Sequence, residues 1–220
     1  MRGPGRCVEL ESVFQDADAP SIPWVVTLPG PVRDLVVADF DQDGRADVAT
    51  LRWEDVRIYT TQAAAPPVLA SVLGLSSNNG LHLVAAELSG DATPDLAILR
   101  VGAFTIHPVL GGLIQPGTPF LWALTVTGGI AAGDVDGDGD TDLVVSNEVL
   151  GTQTTGPQMT IQVVRRTGPA TFILEAPQTK PPTGAGGSML VDVDGDGDRD
   201  LIAPLGFAGV NLTAPLTKPR

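Results

Sequence analysis

Short apolar stretches alternate with turn-forming residues along most of the chain. No stretch keeps the i, i+3, i+4, i+7 spacing of an amphipathic helix for three turns, whereas short apolar, β-branched runs recur between glycine, proline and aspartate. This pattern predicts an all-β fold. The predicted strands cover residues 22–28, 35–38, 48–51, 56–60, 68–72, 81–86, 96–99, 104–107, 120–126, 129–133, 143–146, 159–164, 171–174, 188–191, 201–203 and 209–212.

Four acidic loops of nine residues separate these strands at regular intervals. We name them loop 1 (residues 39–47), loop 2 (87–95), loop 3 (134–142) and loop 4 (192–200), and we number the positions in each from 1 to 9. Their starts are 48, 47 and 58 residues apart. A period near fifty residues with about four strands per unit is typical of β-propeller blades.

The sequence therefore predicts a β-propeller of about four four-stranded blades across residues 21–214. The blades begin near residues 34, 81, 129 and 187, and residues 1–20 are predicted to be a frayed N-terminus. The fourth unit lacks its last strand, and strand 22–28 is suited to fill that place in a closed four-bladed ring. The alternative is part of a larger propeller, for which we expect self-association.

Charge and composition exclude several classes of protein. The net charge is −13, which disfavours nucleic acid and anionic membrane surfaces as partners. The four loops hold 17 of the 26 acidic residues, so the negative charge is localised. No run approaches eighteen apolar residues, so we expect no membrane insertion. The single cysteine, Cys7, rules out an intrachain disulfide, and no secretory signal is visible before it.

The loops carry the pattern of a calcium site. Side-chain oxygens at positions 1, 3, 5 and 9 converge when the backbone curls, glycine at position 6 permits the turn, and a carbonyl at position 7 completes the shell. All-oxygen, carboxylate-rich coordination favours Ca²⁺. The predicted metal residues are Asp39, Asp41, Asp43 and Asp47; Glu87, Ser89, Asp91 and Asp95; Asp134, Asp136, Asp138, Asp140 and Asp142; and Asp192, Asp194, Asp196, Asp198 and Asp200.

The four loops differ in how well they match this pattern. Loops 1, 3 and 4 carry aspartate at positions 1, 3, 5 and 9 and glycine at position 6. Loop 2 has Ser89 at position 3 and Ala92 at position 6, so its charge is lower and its turn is more hindered. We therefore expect three calcium sites and a weak fourth in loop 2.

Two other calcium motifs do not fit. An EF-hand needs a bidentate glutamate at position 12 and flanking helices, but position 12 holds Thr50, Val145 or Ala203 in the three best loops, and β-rich runs flank them. Calcium-binding β-helices repeat every nine residues in tandem, which the spacing of the loops excludes.

The strand–DxDxDGxxD–strand unit resembles the FG-GAP/VCBS repeat of integrin-alpha-like β-propellers. Residues 134–143 and 192–201 are close to its consensus, and the similarity covers roughly residues 22–213. The resemblance implies that each loop joins the first two strands of a blade and binds Ca²⁺.

Few residues point to catalysis. His82 and His107 lie on predicted strands of different blades, and Cys7 and Ser188 have no evident base nearby, so the chain is predicted not to be an enzyme. Trp24, Trp53 and Trp122 are mainly packing residues, although Trp53, beside charged residues at a strand end, is suited to stacking on a sugar.

Two functions follow from these features. The first is a non-catalytic calcium-binding scaffold, extracellular or at the cell surface, that presents loops to a protein partner. The alternative is a carbohydrate-binding module, or the accessory part of a secreted polysaccharide-active enzyme, with a glycan partner.

Overall fold

The computed structural model describes residues 9–12, 24–28, 30–75, 80–121, 128–149, 158–180, 189–193, 199–205 and 209–212. All regular elements in these ranges are β-strands, and none is a helix long and apolar enough to cross a membrane. The strands are β1 Glu9–Ser12, β2 Trp24–Thr27, β3 Asp34–Ala38, β4 Asp47–Leu51, β5 Asp55–Gln62, β6 Ala65–Gly74, β7 Gly80–Ala86, β8 Asp95–Arg100, β9 Ala103–His107, β10 Val109–Leu110, β11 Leu113–Ile114, β12 Thr118–Leu121, β13 Ile130–Gly133, β14 Asp142–Val149, β15 Gln158–Gly168, β16 Thr171–Leu174, β17 Gln178–Lys180, β18 Met189–Val191, β19 Asp200–Leu205 and β20 Gly209–Leu212.

Each predicted repeat forms one antiparallel sheet. Sheet I is β3-β4-β5-β6, sheet II is β7-β8-β9-β12, sheet III is β13-β14-β15-β16 with β17 also paired to β15, and sheet IV is β18-β19-β20. The register of the first two strands is the same in all four sheets. In each sheet, the apolar residue directly after the loop lies opposite the residue two places before the loop. These pairs are Val37–Val48, Ala85–Leu96, Ala132–Leu143 and Leu190–Leu201.

The sheets pack face to face in chain order. The first strands contact one another in the series β3, β7, β13 and β18. A separate apolar core fills each gap between successive sheets: Ala49, Leu51, Val56 and Ile58 meet Leu83, Leu96 and Ile98 in the first; Ala97, Leu99, Phe104 and Ile106 meet Ile130, Leu143 and Val145 in the second; and Val144, Ile161 and Val163 meet Leu190 and Leu201 in the third. Successive antiparallel sheets that contact one another through their first strands are arranged as propeller blades are, and the predicted all-β fold is confirmed.

Position 2 of loops 1, 2 and 3 supplies an apolar side chain to the core that follows its sheet. Phe40 and Leu88 are fully buried in the first and second cores, and Val135 packs against the third. Val193, the equivalent residue of sheet IV, is 44% exposed. Loops 1, 2 and 3 are therefore each anchored by one apolar side chain.

Several predicted strands differ from the structure. Strand 22–28, suited to the missing place in a closed four-bladed ring, pairs as β2 with β1 in a two-stranded sheet. The predicted strand 120–126 begins earlier, as β12, and residues 122–127 lie outside the described part. The hairpin β10–β11 and the strand β17 were not predicted.

Replacing Phe40 with alanine tests the role of position 2. The side chain is fully buried between sheets I and II, so we expect Phe40→Ala to lower the free energy of unfolding by about 3–5 kcal/mol, measured by urea denaturation. Leu110→Ala, at a leucine that is 53% exposed in the β10–β11 hairpin, is the control and should change it by no more than about 0.5 kcal/mol. Equal effects of the two changes would contradict the role of Phe40 as an anchor.

Candidate metal centres

The aspartate at position 9 is buried at the start of the second strand of every sheet. Asp47, Asp95 and Asp142 are 0% exposed and Asp200 is 7% exposed. Asp47 accepts the backbone N–H of Phe40 on Oδ2 (2.9 Å) and that of Thr61 on Oδ1 (2.8 Å). The same bonds recur from Leu88 and Val109 to Asp95, from Val135 and Arg166 to Asp142, and from Val193 to Asp200.

Position 9 therefore links three parts of a sheet. Its carboxylate accepts one hydrogen bond from position 2 of the loop. It accepts a second from a residue in or just after the third strand, which lies 14 or 24 residues after position 9. Charge-assisted hydrogen bonds of this kind are about twice as strong as neutral ones. The predicted metal residues at position 9 thus have a structural role that the spacing of carboxylates does not reveal.

The electrostatic environment of these aspartates is unfavourable to their charge. Burial raises the pKa of Asp47, Asp95 and Asp142, against the lowering effect of the backbone hydrogen bonds. Neighbouring carboxylates in the same loops raise the pKa further, such as Asp41 and Asp43 around Asp47. A cation bound among these carboxylates would offset the repulsion and lower their pKa values.

Loop 1 is curled by hydrogen bonds from its own backbone. Asp39 at position 1 accepts the N–H of Asp43 on Oδ1 (3.1 Å) and that of Gly44 on Oδ2 (2.9 Å). Gly44 at position 6 has a φ of 85°, the left-handed conformation that the sequence predicts for a glycine there. Asp43 forms an ion pair with Arg45, whose Nη1 lies 2.6 Å from Asp43 Oδ2.

Loop 3 is also curled by hydrogen bonds from its own backbone to its carboxylates. Asp134 accepts the N–H of Gly137 on Oδ1 (2.7 Å) and that of Gly139 on Oδ2 (3.0 Å), and Gly139 has a φ of 90°. Asp136 and Asp138 each accept the N–H of the residue two places on, at 3.2 and 2.8 Å. The repeated sequence pattern therefore gives two different sheets the same hydrogen bond from position 6 to position 1 and the same left-handed turn at position 6.

Carboxylate oxygens converge in both loops. One oxygen each from Asp39, Asp41 and Asp47, at positions 1, 3 and 9, lies within 4.8 Å of the others in loop 1. In loop 3 the converging group is Asp134, Asp136 and Asp138, at positions 1, 3 and 5. Ca²⁺ binds oxygen at about 2.3–2.6 Å, so two ligands of one ion lie at most about 5 Å apart. The donors present therefore fit a calcium ion, and the exposed side of each loop leaves room for water ligands.

Loop 2 differs from these two loops in both conformation and charge. Ala92 replaces the glycine at position 6 and still adopts a positive φ of 67°, a strained conformation for a residue with a Cβ. Glu87 at position 1 accepts the N–H of Gly90 on Oε1 and a hydrogen bond from Arg166 Nη1 on Oε2 (2.8 Å). A side-chain cation from sheet III therefore neutralises the first carboxylate of loop 2.

Arg166 is buried where it makes this contact. It is 4% exposed, its Nη1 lies 3.6 Å from Asp140 Oδ1 of loop 3, and its Nε donates to the carbonyl of Gly168 (3.3 Å). The guanidinium thus lies between the acidic loops of two successive sheets. Sequence spacing could not indicate this contact, because Arg166 and Glu87 are 79 residues apart.

Loop 4 is only partly described. Asp192 and Asp200 lie in the described part, whereas Asp194, Asp196 and Asp198 lie outside it, so the predicted metal site of loop 4 stays a prediction.

The other residues singled out from the sequence are distributed over separate places. His82 Nδ1 lies 3.3 Å from Asp34 Oδ2 and joins β7 to β3. His107 contacts the carbonyl of Gln115 and the hydroxyl of Thr105, both at 3.0 Å, and burial lowers its pKa. Both histidines thus make contacts within the sheets and the adjoining turns. Cys7, Trp122 and Ser188 lie outside the described residues.

Trp53 lies in the short turn between β4 and β5, and 51% of the residue is exposed. The guanidinium carbon of Arg33 lies 3.7 Å from the centroid of its ring, which is cation–π geometry. One face of the exposed Trp53 ring is therefore covered by the guanidinium of Arg33.

Four sheets with the same register, each with an acidic loop between its first two strands, define a propeller-type repeat protein. The profile of the FG-GAP-like repeat matches residues 134–203, the segment with loops 3 and 4, so the chain carries an FG-GAP-like repeat there. No curated protein matches the chain.

Among 38 matching solved chains is an Agrocybe aegerita lectin that specifically recognises non-reducing terminal N-acetylglucosamine. It is 16% identical with a TM-score of 0.61, and the match covers 93% of this chain and 57% of the lectin chain. At this identity the match shows the fold alone. The chain spans less than two thirds of that protein's length.

Replacing Arg166 tests whether it neutralises loop 2. Arg166→Met removes the hydrogen bond to Glu87 but keeps the backbone bond to Asp142, so we expect the free energy of unfolding to fall by about 1.5–3 kcal/mol in chemical denaturation. The exposed Arg199→Met is the control and should change it by no more than about 0.5 kcal/mol.

The double variant Glu87→Gln/Arg166→Met completes this test. It removes both charges, so it should be more stable than Arg166→Met alone. A double variant in which the two effects simply add would show that Arg166 and Glu87 do not interact.

Proposed function

We propose that the chain is a non-catalytic calcium-binding interaction module, in which Ca²⁺ in the acidic loops stabilises propeller-type sheets. The observation that carries this proposal is the convergence of three carboxylates within 4.8 Å in each of loops 1 and 3. Carboxylates held this closely repel one another, and a cation bound between them offsets that repulsion. A structural role suits the ion, because each loop joins the first two strands of a sheet and anchors position 2 in the core.

The compartment follows from the expected affinity. Exposed loops with few fixed ligands bind Ca²⁺ with a Kd of about 10⁻⁴–10⁻³ M in extracellular modules. Sites of that strength are filled outside the cytoplasm, where Ca²⁺ is plentiful. We therefore propose an extracellular or cell-surface location, with the exposed loops presented to a partner.

Thermal unfolding with and without calcium tests the proposal. Each occupied site adds about 1.4 kcal/mol at ten times its Kd, and 1 kcal/mol shifts the Tm of a domain of this size by about 2–4 °C. We expect EDTA to lower the Tm by about 5–10 °C relative to millimolar CaCl₂, for two sites. Superimposable melting curves would rule out structural calcium.

A matched pair of variants locates the ions. Asp138 and Asp91 both occupy position 5, but only Asp138 belongs to a converging group. Asp138→Asn should therefore remove one site from a calorimetric calcium titration, whereas Asp91→Asn should leave the number of tight sites unchanged. Equal losses in the two variants would show that binding does not depend on the convergence of the carboxylates.

A glycan-binding role is the second candidate, favoured by the exposed ring of Trp53. Aromatic rings that are held at a surface are suited to stacking on the apolar face of a sugar. The fold is shared with a lectin that recognises terminal N-acetylglucosamine, which makes that sugar the first ligand to test.

A glycan array with calcium present tests this second role. If Trp53 is the platform, array binding is lost in Trp53→Ala and largely kept in Trp53→Phe, which retains an aromatic face. Absence of any array signal from the parent protein, or equal binding by the alanine variant, would exclude this role for Trp53.

A further inference from the structure

Position 4 of loops 1, 2 and 3 has a left-handed backbone. The residue is glycine in loops 2 and 3, where Gly90 and Gly137 have φ values of 91° and 75°. Loop 1 has Gln42 there instead, and its φ is 61°. A left-handed conformation costs free energy in a residue with a Cβ, so a contact of Gln42 is expected to hold it in place.

That contact is a hydrogen bond to the second repeat, residues 80–121. Gln42 Nε2 donates to Thr93 Oγ1 at 2.8 Å, across 51 residues of sequence. Thr93, at position 7 of loop 2, is 5% exposed, and its own N–H donates to Asp91 Oδ1 at 2.8 Å. Position 4 of loop 1 is therefore held by an acceptor that is buried and itself fixed.

The hairpin β10–β11 of the second repeat contacts loop 1 at a second point. The N–H of Gly112 donates to the carbonyl of Phe40 at 2.9 Å, and a Cβ on Gly112 would lie 3.7 Å from Asp41 Cβ. The hairpin is also bound to sheet I, because the N–H of Ile114 donates to Ser71 Oγ at 3.1 Å. Asp41, at position 3, thus lies between two residues that the second repeat holds.

These contacts bear directly on the carboxylates that converge in loop 1. The N–H of Asp43, which follows Gln42, donates to Asp39 Oδ1 (3.1 Å) and to Asp41 Oδ1 (3.2 Å). The two dihedral angles of Gln42 set the direction of that N–H, because the peptide groups on either side are planar. The conformation of Gln42 therefore decides whether Asp39 and Asp41 share a donor and stay together.

We propose that Gln42, Thr93 and Gly112 are positioning residues of the calcium site in loop 1. The second repeat then raises the calcium affinity of a site whose converging carboxylates all lie in the first repeat. This inference rests on the proposed function. By linkage, calcium in loop 1 strengthens the contact between the two repeats by the same factor as that contact strengthens calcium binding.

Calorimetric calcium titration tests the proposal, and the loop 1 site is identified as the one that Asp41→Asn removes. Thr93→Val keeps the shape of the side chain but removes the acceptor, so we expect it to weaken that site by about three- to tenfold and to leave the other sites unchanged. Thr105→Val is the control. It replaces an equally buried threonine whose hydroxyl contacts His107 instead, and it should leave the loop 1 site unchanged.

The background Gln42→Gly separates positioning from a general loss of stability. Glycine adopts the left-handed conformation without a supporting contact. Thr93→Val should therefore cause no further loss of calcium affinity when it is combined with Gln42→Gly. An equal loss in both backgrounds, or no loss in Thr93→Val alone, would overturn this inference and leave the proposed calcium role intact.

Hydrogen exchange in the calcium-free chain gives a readout that does not depend on the proposed function. The N–H of Asp43 is protected by its bonds to Asp39 and Asp41, so it should exchange faster in Thr93→Val than in the parent chain. Equal exchange rates would overturn the positioning role. A parent chain that binds no calcium would overturn the proposed function, and this inference with it.

Discussion

The aspartate at position 9 is the constraint on which the rest of each sheet depends. It is buried at the start of the second strand, and each of its two oxygens accepts a backbone hydrogen bond in the first three sheets. One bond fixes position 2 of the loop, and the other fixes a residue at or beyond the end of the third strand. Position 2 is thereby directed into the following core, and the remaining carboxylates are held together on the exposed side. A single side chain thus connects packing between sheets with the geometry of the loop.

Two ways of neutralising an acidic loop are present in one chain. Loops 1 and 3 bring three carboxylate oxygens within 4.8 Å, which is the arrangement that we propose for Ca²⁺. Loop 2 instead contacts the guanidinium of Arg166, which is buried and also approaches loop 3. A covalently attached cation cannot be removed by chelation, so the junction between sheets II and III keeps its charge balance when calcium is low. The proposed calcium dependence would then be strongest around loops 1 and 3.

The sequence predicted what depends on local patterns and missed what depends on distant contacts. Alternating carboxylates, the glycines at position 6 and the apolar residue after each loop lie within a dozen residues of one another, so the hairpins, their register and the left-handed turns at Gly44 and Gly139 were predictable. The apolar residue at position 2 was visible in all four loops and could have been found by comparing them. The pairing of β2 with β1 and the contact of Arg166 with Glu87 depend on how whole sheets pack, which residue spacing does not encode.

The most direct test of the proposed calcium sites is anomalous X-ray diffraction from crystals grown in millimolar CaCl₂. We expect anomalous density within about 2.3–2.6 Å of carboxylate oxygens of Asp39, Asp41 and Asp47 in loop 1 and of Asp134, Asp136 and Asp138 in loop 3. In loop 2 the guanidinium of Arg166 should remain against Glu87, with no ion beside it. Loops 1 and 3 without anomalous density, or an ion in loop 2 with Arg166 displaced, would contradict the proposal.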